Sequence, residues 1–319
     1  MNAEQAKIRL NRTLRRLAAL PRLHRIDRHP IPPRQPGDVW LFIVCRNEAL
    51  RLPAMLDYHF KLGVTQAFLL DNASTDATID IVRNDPRVHM LRTSQTFEGN
   101  AVVWQEIALR RYGTGFWNLV LDADELVAYP DMGTVSLPDF ARRLDAEGAE
   151  AIHAVFVDMY SREPVRQLHY APGEDLFAAA RWFDPDGYTK VPYRQVFGPT
   201  GSTFVYMGGA RVRVFGGELG CSKSPLLKYH PNQFLRLGFH TIEGARLSSR
   251  QAAVLHFKYL QDFHANVARE TVRNVHWNGA SEYRTYAALI KENPDFTLWH
   301  PGSARYDSWR SLANAGLVF

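Results

Sequence analysis

The sequence contains only two cysteines in 319 residues, Cys45 and Cys221, too few for a disulfide framework or a thiolate metal cage. It lacks any apolar run near the roughly 20 residues needed to cross a bilayer, and charged residues stand where the apolar stretch of a secretion signal would be. A cytoplasmic protein with reduced thiols is expected. No G-x-G-x-x-G follows the first apolar run, which argues against a dehydrogenase-type dinucleotide fold. Internal repeats and low-complexity stretches are also missing. Nucleic acid is not an expected partner, because basic residues crowd only the first 36 positions and no stacking motif interrupts them.

What is present is 46% apolar content, enough for a large core, and an uneven charge. Residues 1–36 carry nine Lys and Arg against Glu4 and Asp27, a balance of +7 that leaves −2 for the rest of a chain whose formal charge is +5. Within this arm Ile8, Leu10, Leu14, Leu17 and Leu20 interleave with Arg9, Arg12, Arg15 and Arg16. A short basic amphipathic helix of this kind suits peripheral contact with an anionic membrane, and equally suits packing on the body. The Pro-rich piece from Pro30 to Gly37 reads as a linker.

Beyond it, strand and helix patterns alternate. Strands are expected at Val39–Cys45, Ala67–Leu70, Val88–Leu91 and Trp117–Leu121, and helices at Ala49–Leu62, Ala77–Arg83 and Asn100–Tyr112. Such alternation implies right-handed crossovers and an α/β fold with a Rossmann-like, mostly parallel sheet flanked by helices. A further strand, Ala151–Val157, opens a less regular half with β segments near Ala210–Phe215 and Ala253–Lys258, followed by helical patterns at 261–275 and 281–292. The expected organisation is an arm at 1–36, a main domain at 37–260 divided near 130, and a C-terminal helical extension at 261–319.

In doubly wound sheets ligands gather at the carboxyl ends of strands. Three such ends carry polar clusters here: Arg46-Asn47-Glu48, then Asp71-Asn72-Ala73-Ser74-Thr75-Asp76, then Asp122-Ala123-Asp124-Glu125. Alternating side chains put Asp122 and Asp124 on one side of the last rim, and paired hard oxygens suit Mg²⁺ or Mn²⁺. A solvated acidic turn is the competing account of that motif alone. Asp76 reads best as a helix N-cap.

These three motifs in order resemble a bacterial, family 2-type glycosyltransferase of the GT-A fold, well over Val39–Tyr129 and loosely to Lys258. The resemblance implies a nucleotide-diphosphate sugar donor contacted by Arg46, Asn47, Glu48, Asp71 and Asn72, with Asp122 at the ribose or ion and Asp124 chelating Mn²⁺ or Mg²⁺. It implies a C-terminal histidine ligand, with His256 the candidate and His240 the runner-up. Transfer to a glycan or lipid-linked hydroxyl with inversion needs a general base. Asp158, at another strand end, and Glu218, in a Gly-rich loop, are the candidates, although the family's acidic pair before a helix is absent. Lys223, Lys228 and Lys258 are candidate phosphate neighbours, and Trp182, Phe183, Tyr188 and Tyr193 a candidate sugar platform. Rival readings are a haloacid dehalogenase-like phosphatase with Asp122 as nucleophile, and a non-catalytic nucleotide-sugar-binding protein.

Overall fold

The computed structural model describes residues 3–197, 200–217, 219–273 and 277–319. Its N-terminal region is more ordered than an arm and linker. Helix α1 (Ala3–Ala19) packs on the body, and strand β1 (His24–Arg25) pairs antiparallel with the sheet edge. The next strands follow the apolar runs: β2 (Trp40–Cys45), β3 (Gln66–Asp71), β4 (Val88–Arg92) and β5 (Trp117–Asp122). All six residues of β2 are buried, as expected for a strand covered on both faces.

Helix α2 (Leu52–Lys61) ends before Gly63, whose φ of +103° only glycine adopts freely. A Cβ there would lie 2.8 Å from Pro138 Cδ. Helix α3 (Thr78–Val82) starts after Asp76, whose Oδ1 accepts the Thr78 N–H at 3.0 Å. Helix α4 (Ala101–Ala108) passes into a wider turn, Leu109–Gly113, sooner than periodicity suggests.

β4, β3, β2 and β5 lie side by side and parallel. Strand order reverses between β2 and β5, with Val44 opposite Asp122 in register. This switch point is where a ligand crevice is expected. Beyond β5 the sheet becomes mixed. A short strand, Leu226–Lys228, runs antiparallel between β5 and the later strand Ala151–Asp158, which in turn pairs in parallel with Leu247–His256. The outer edge is β6 (Glu125–Ala128), antiparallel to Leu247–His256. The α/β class with a Rossmann-like sheet flanked by helices is therefore present, and apolar clusters fill both faces.

One expected strand is a helix. Residues Gly209–Phe215 alternate like a strand, but Gly208 and Gly209, both at positive φ, turn the chain out of a hairpin. In helical form Arg211 reaches Asp158 while Arg213 reaches Asp184. Tertiary ion pairing here overrides the β propensity of Val212 and Val214. The C-terminal patterns form helices Phe263–Arg273 and Trp277–Glu292, which enclose an aromatic cluster around Phe215, Tyr259 and Tyr286.

Candidate functional site

The first rim is built largely from turn bonds between near neighbours in the chain and the adjoining loop. Asn47, at φ 55°, donates its N–H to Ser74 Oγ at 2.9 Å, while its Oδ1 accepts the Thr75 N–H at 2.8 Å. Asp71 is fully buried; its carboxylate accepts the Ser74 N–H at 3.1 Å and lies 3.3 Å from Arg92 Nε. The Asn72 amide donates to Gln95 O at 2.8 Å, and Arg46 donates to Asn72 O at 2.7 Å. Asn47, Asp71 and Asn72 thus shape the loops, leaving Arg46 and Glu48 partly exposed at the rim. Outside it lies a cavity of about 570 Å³ lined by Ala73, Arg92, Thr93 and Gln95, with Arg22 and His24 of the arm.

The second rim is built from charges brought in by distant strands. Asp122 is half-exposed and receives Lys223 Nζ at 2.9 Å. Lys223 is buried and also bonds Glu125, whose Oε2 accepts the Asp122 N–H at 2.8 Å. Burial raises the Glu125 carboxyl, and Lys223 opposes this; it stays raised to about 8. Asp124 Oδ2 lies 3.0 Å from His256 Nε2, and His256 Nδ1 lies 2.8 Å from Asp158 Oδ1. Register explains the chain: on Leu247–His256, His256 stands opposite Glu125 on one side and Asp158 on the other.

Asp158 is buried, and Arg211 grips both of its oxygens at 2.8 and 2.6 Å. Burial would lift its carboxyl, but Arg211 outweighs that and holds it well below the usual range. Asp124 is depressed in the same way, burial being outweighed by His256. Burial lowers the imidazole of His256, yet the flanking carboxylates leave it raised. The two rims feel one another. Burial, opposed by Arg51, together with the charges of Asp124, Asp262 and Asp122, lifts Glu48 to about 8.

Several expected residues sit elsewhere. Asp158, a candidate base, has no open face for an acceptor hydroxyl. Glu218 lies outside the described residues. His240 bonds Ser222 O at 2.6 Å instead of approaching Asp124, and burial lowers it to about 4. Lys228 stands opposite Trp117 at the far end of β5 and pairs with Asp145. Lys258 lies near Asp124 and 3.3 Å from Glu282. The aromatic group is dispersed: Phe183 is core, Trp182 packs edge-on with Trp299, and the Tyr193 hydroxyl donates to Glu243.

Sequence reasoning missed Arg51 and Arg211. Arg51, buried on the first rim, donates to Phe257 O at 2.7 Å and to Asp262 at 2.8 Å, so it joins the Arg46-Asn47-Glu48 loop to the end of the His256 strand. A basic residue three positions beyond the polar cluster at a strand end was the available signal. Arg211 offered none, because its partner lies 53 positions away.

Among the described residues no three or more His, Cys, Asp and Glu side chains form a metal cage. A Mg²⁺ or Mn²⁺ ion bound with a phosphate substrate needs only one or two carboxylates, the rest coming from phosphate and water. Asp124 with His256, one oxygen and one nitrogen donor at a strand end, fits that requirement, with Asp122 alongside.

No family model matches the sequence, and no curated protein matches it. Solved structures do. A mannosyltransferase from Pyrobaculum calidifontis, in complex with GDP-Man and Mn²⁺, is 16% identical over 96% of this chain and 77% of its own, with a TM-score of 0.37. A glucosyl-3-phosphoglycerate synthase from Mycobacterium tuberculosis, with Mn²⁺, UDP and its product, is 16% identical over 46% of this chain and 55% of its own, at 0.26. A nucleotidyl transferase from Methanothermobacter thermautotroptrophicus is 14% identical over 40% of this chain and 63% of its own, at 0.24. Likeness at this level carries no argument about chemistry, which rests on the residues themselves.

Proposed function

We propose that this chain is a glycosyltransferase that moves a sugar from a nucleotide-diphosphate donor to a hydroxyl of a glycan or lipid-linked acceptor, with a divalent cation at the second rim. The observation that carries the reading is the meeting of Glu48, Asp122, Asp124 and His256 at the switch point between β2 and β5. The 570 Å³ cavity lined by Ala73, Arg92 and Thr93 has room for a nucleoside, and Arg46, bonded to the carbonyl of neighbouring Asn72, can face phosphate.

Asp124 and His256 would hold Mn²⁺ or Mg²⁺ from the protein side, and the ion would neutralise the leaving diphosphate when bound. Asp158 is a positioning residue: gripped by Arg211, it fixes the imidazole so that Nε2 faces Asp124. Lys223 holds Asp122 and Glu125 against the rim. For an inverting reaction, Glu218 is the proposed base, since Asp158 is sealed.

The test is release of UDP or GDP from UDP- or GDP-sugars in Mn²⁺, by wild type and by Asp124→Ala verified to melt normally. Release that needs the ion and disappears in the variant is expected. Turnover by Asp124→Ala at the wild-type rate would overturn the assignment.

A further inference from the structure

We propose that the outward face of α1 docks on an anionic lipid bilayer. An amphipathic helix on a soluble protein normally turns its leucines inward. Here α1 is inverted. Leu10, Leu14 and Leu17, one above another at helical spacing, are 59%, 54% and 63% exposed, and Leu20 and Ile26 continue the ridge at 50% and 41%. The basic side is the one that packs. Arg12 and Arg16 bond the two oxygens of Glu106, a buried carboxylate on α4, at 2.6 and 3.1 Å, and the Arg9 guanidinium lies 4.8 Å from the centre of the Phe197 ring.

Glu106 makes this orientation compulsory, because turning the leucines inward would leave a buried charge without its cations. The ridge is therefore presented by the fold. Exposed Lys7, Arg15, Arg22 and Arg28 flank it, and Glu4 is the one acidic residue of the described helix. Leucines bordered by cations match the acyl edge and acidic headgroups of a bilayer. A second copy is a poor occupant, since it would bring two arms of the same +7 charge together. The ridge also reaches the nucleoside-sized cavity, whose lining includes Arg22 and Ile26, so docking would hold the strand ends close to the membrane surface.

Co-sedimentation of the full chain with vesicles tests this. Binding is expected to phosphatidylcholine vesicles containing phosphatidylglycerol, not to phosphatidylcholine alone, and to weaken in high salt. Leu10→Ser, Leu14→Ser and Leu17→Ser together should lower partitioning about a hundredfold while leaving the melting temperature unchanged. As a readout independent of that variant, a polarity-sensitive dye on Leu17→Cys should shift to the blue on acidic vesicles; both native cysteines are buried. Three results would overturn the proposal: no binding to acidic vesicles, equal binding by the triple variant with no dye shift, or a dimer that the triple variant makes monomeric, which would give the face to a second copy.

Discussion

The two rims of the crevice hold their carboxylates by different balances of the same means. On the first, Asp71 and Asp76 accept backbone N–H groups within a few residues, from Ser74 and Thr78, and Asp76 also takes that of Ala49, while Arg92 adds a single counter-charge beside Asp71. On the second, Asp122, Glu125, Asp124 and Asp158 depend on cationic or ionisable groups from distant strands and a helix: Lys223, His256 and Arg211. A turn held by its own backbone is pre-shaped for a ligand. A rim held by counter-charges can exchange or share a cation, as the proposed metal-assisted departure of a diphosphate requires.

The comparison breaks most visibly at Arg211. Arg211→Met would leave the buried Asp158 with His256 as its remaining partner, at a cost of about 3 kcal/mol in denaturant unfolding. A loss near zero would show that the second rim does not rely on this pair.

Acid should come next. His59, His153 and His240 are buried, and burial lowers each to about 4 from an ordinary 6.5. Between those values Glu48 and Glu125, raised to about 8, favour the folded chain as protons bind, while each of the three histidines binds more protons unfolded than folded and so lowers stability as the pH drops from 6.5 to 4. Each histidine contributes up to about 3 kcal/mol to that loss. Denaturation midpoints measured across this interval should therefore slope, and His59→Phe should flatten the slope. Of the three, His153 lies on a strand in the second half of the sheet.

The smallest effect is expected on the first rim, where Asp76→Ala removes a local cap and should cost about 1 kcal/mol. If it costs as much as Arg211→Met, the two rims are not differently built.

The same contrast explains what could be read from the chain. Strands β2 to β5 and their helices are local units, each announced by an apolar run and a stop such as Gly63 or Asp76. His256 was legible as a histidine ending an apolar strand. The sealed state of Asp158 was not, because Arg211 sits in a segment whose alternation looks like a strand and whose helical form depends on its distant partners. The burial of Glu125 was hidden for a similar reason: Lys223, the cation that pairs with it, lies 98 positions away. The inverted α1 was hidden by the same distance, since only the fold brings Glu106 beneath Arg12 and Arg16.

The most direct test is electron paramagnetic resonance of Mn²⁺ titrated into the protein with UDP or GDP. The free-ion signal should fall in wild type when nucleotide diphosphate is present, and should remain for Asp124→Ala and His256→Ala beyond what nucleotide alone removes. Equal loss of signal in all three proteins would place the ion elsewhere and contradict the account.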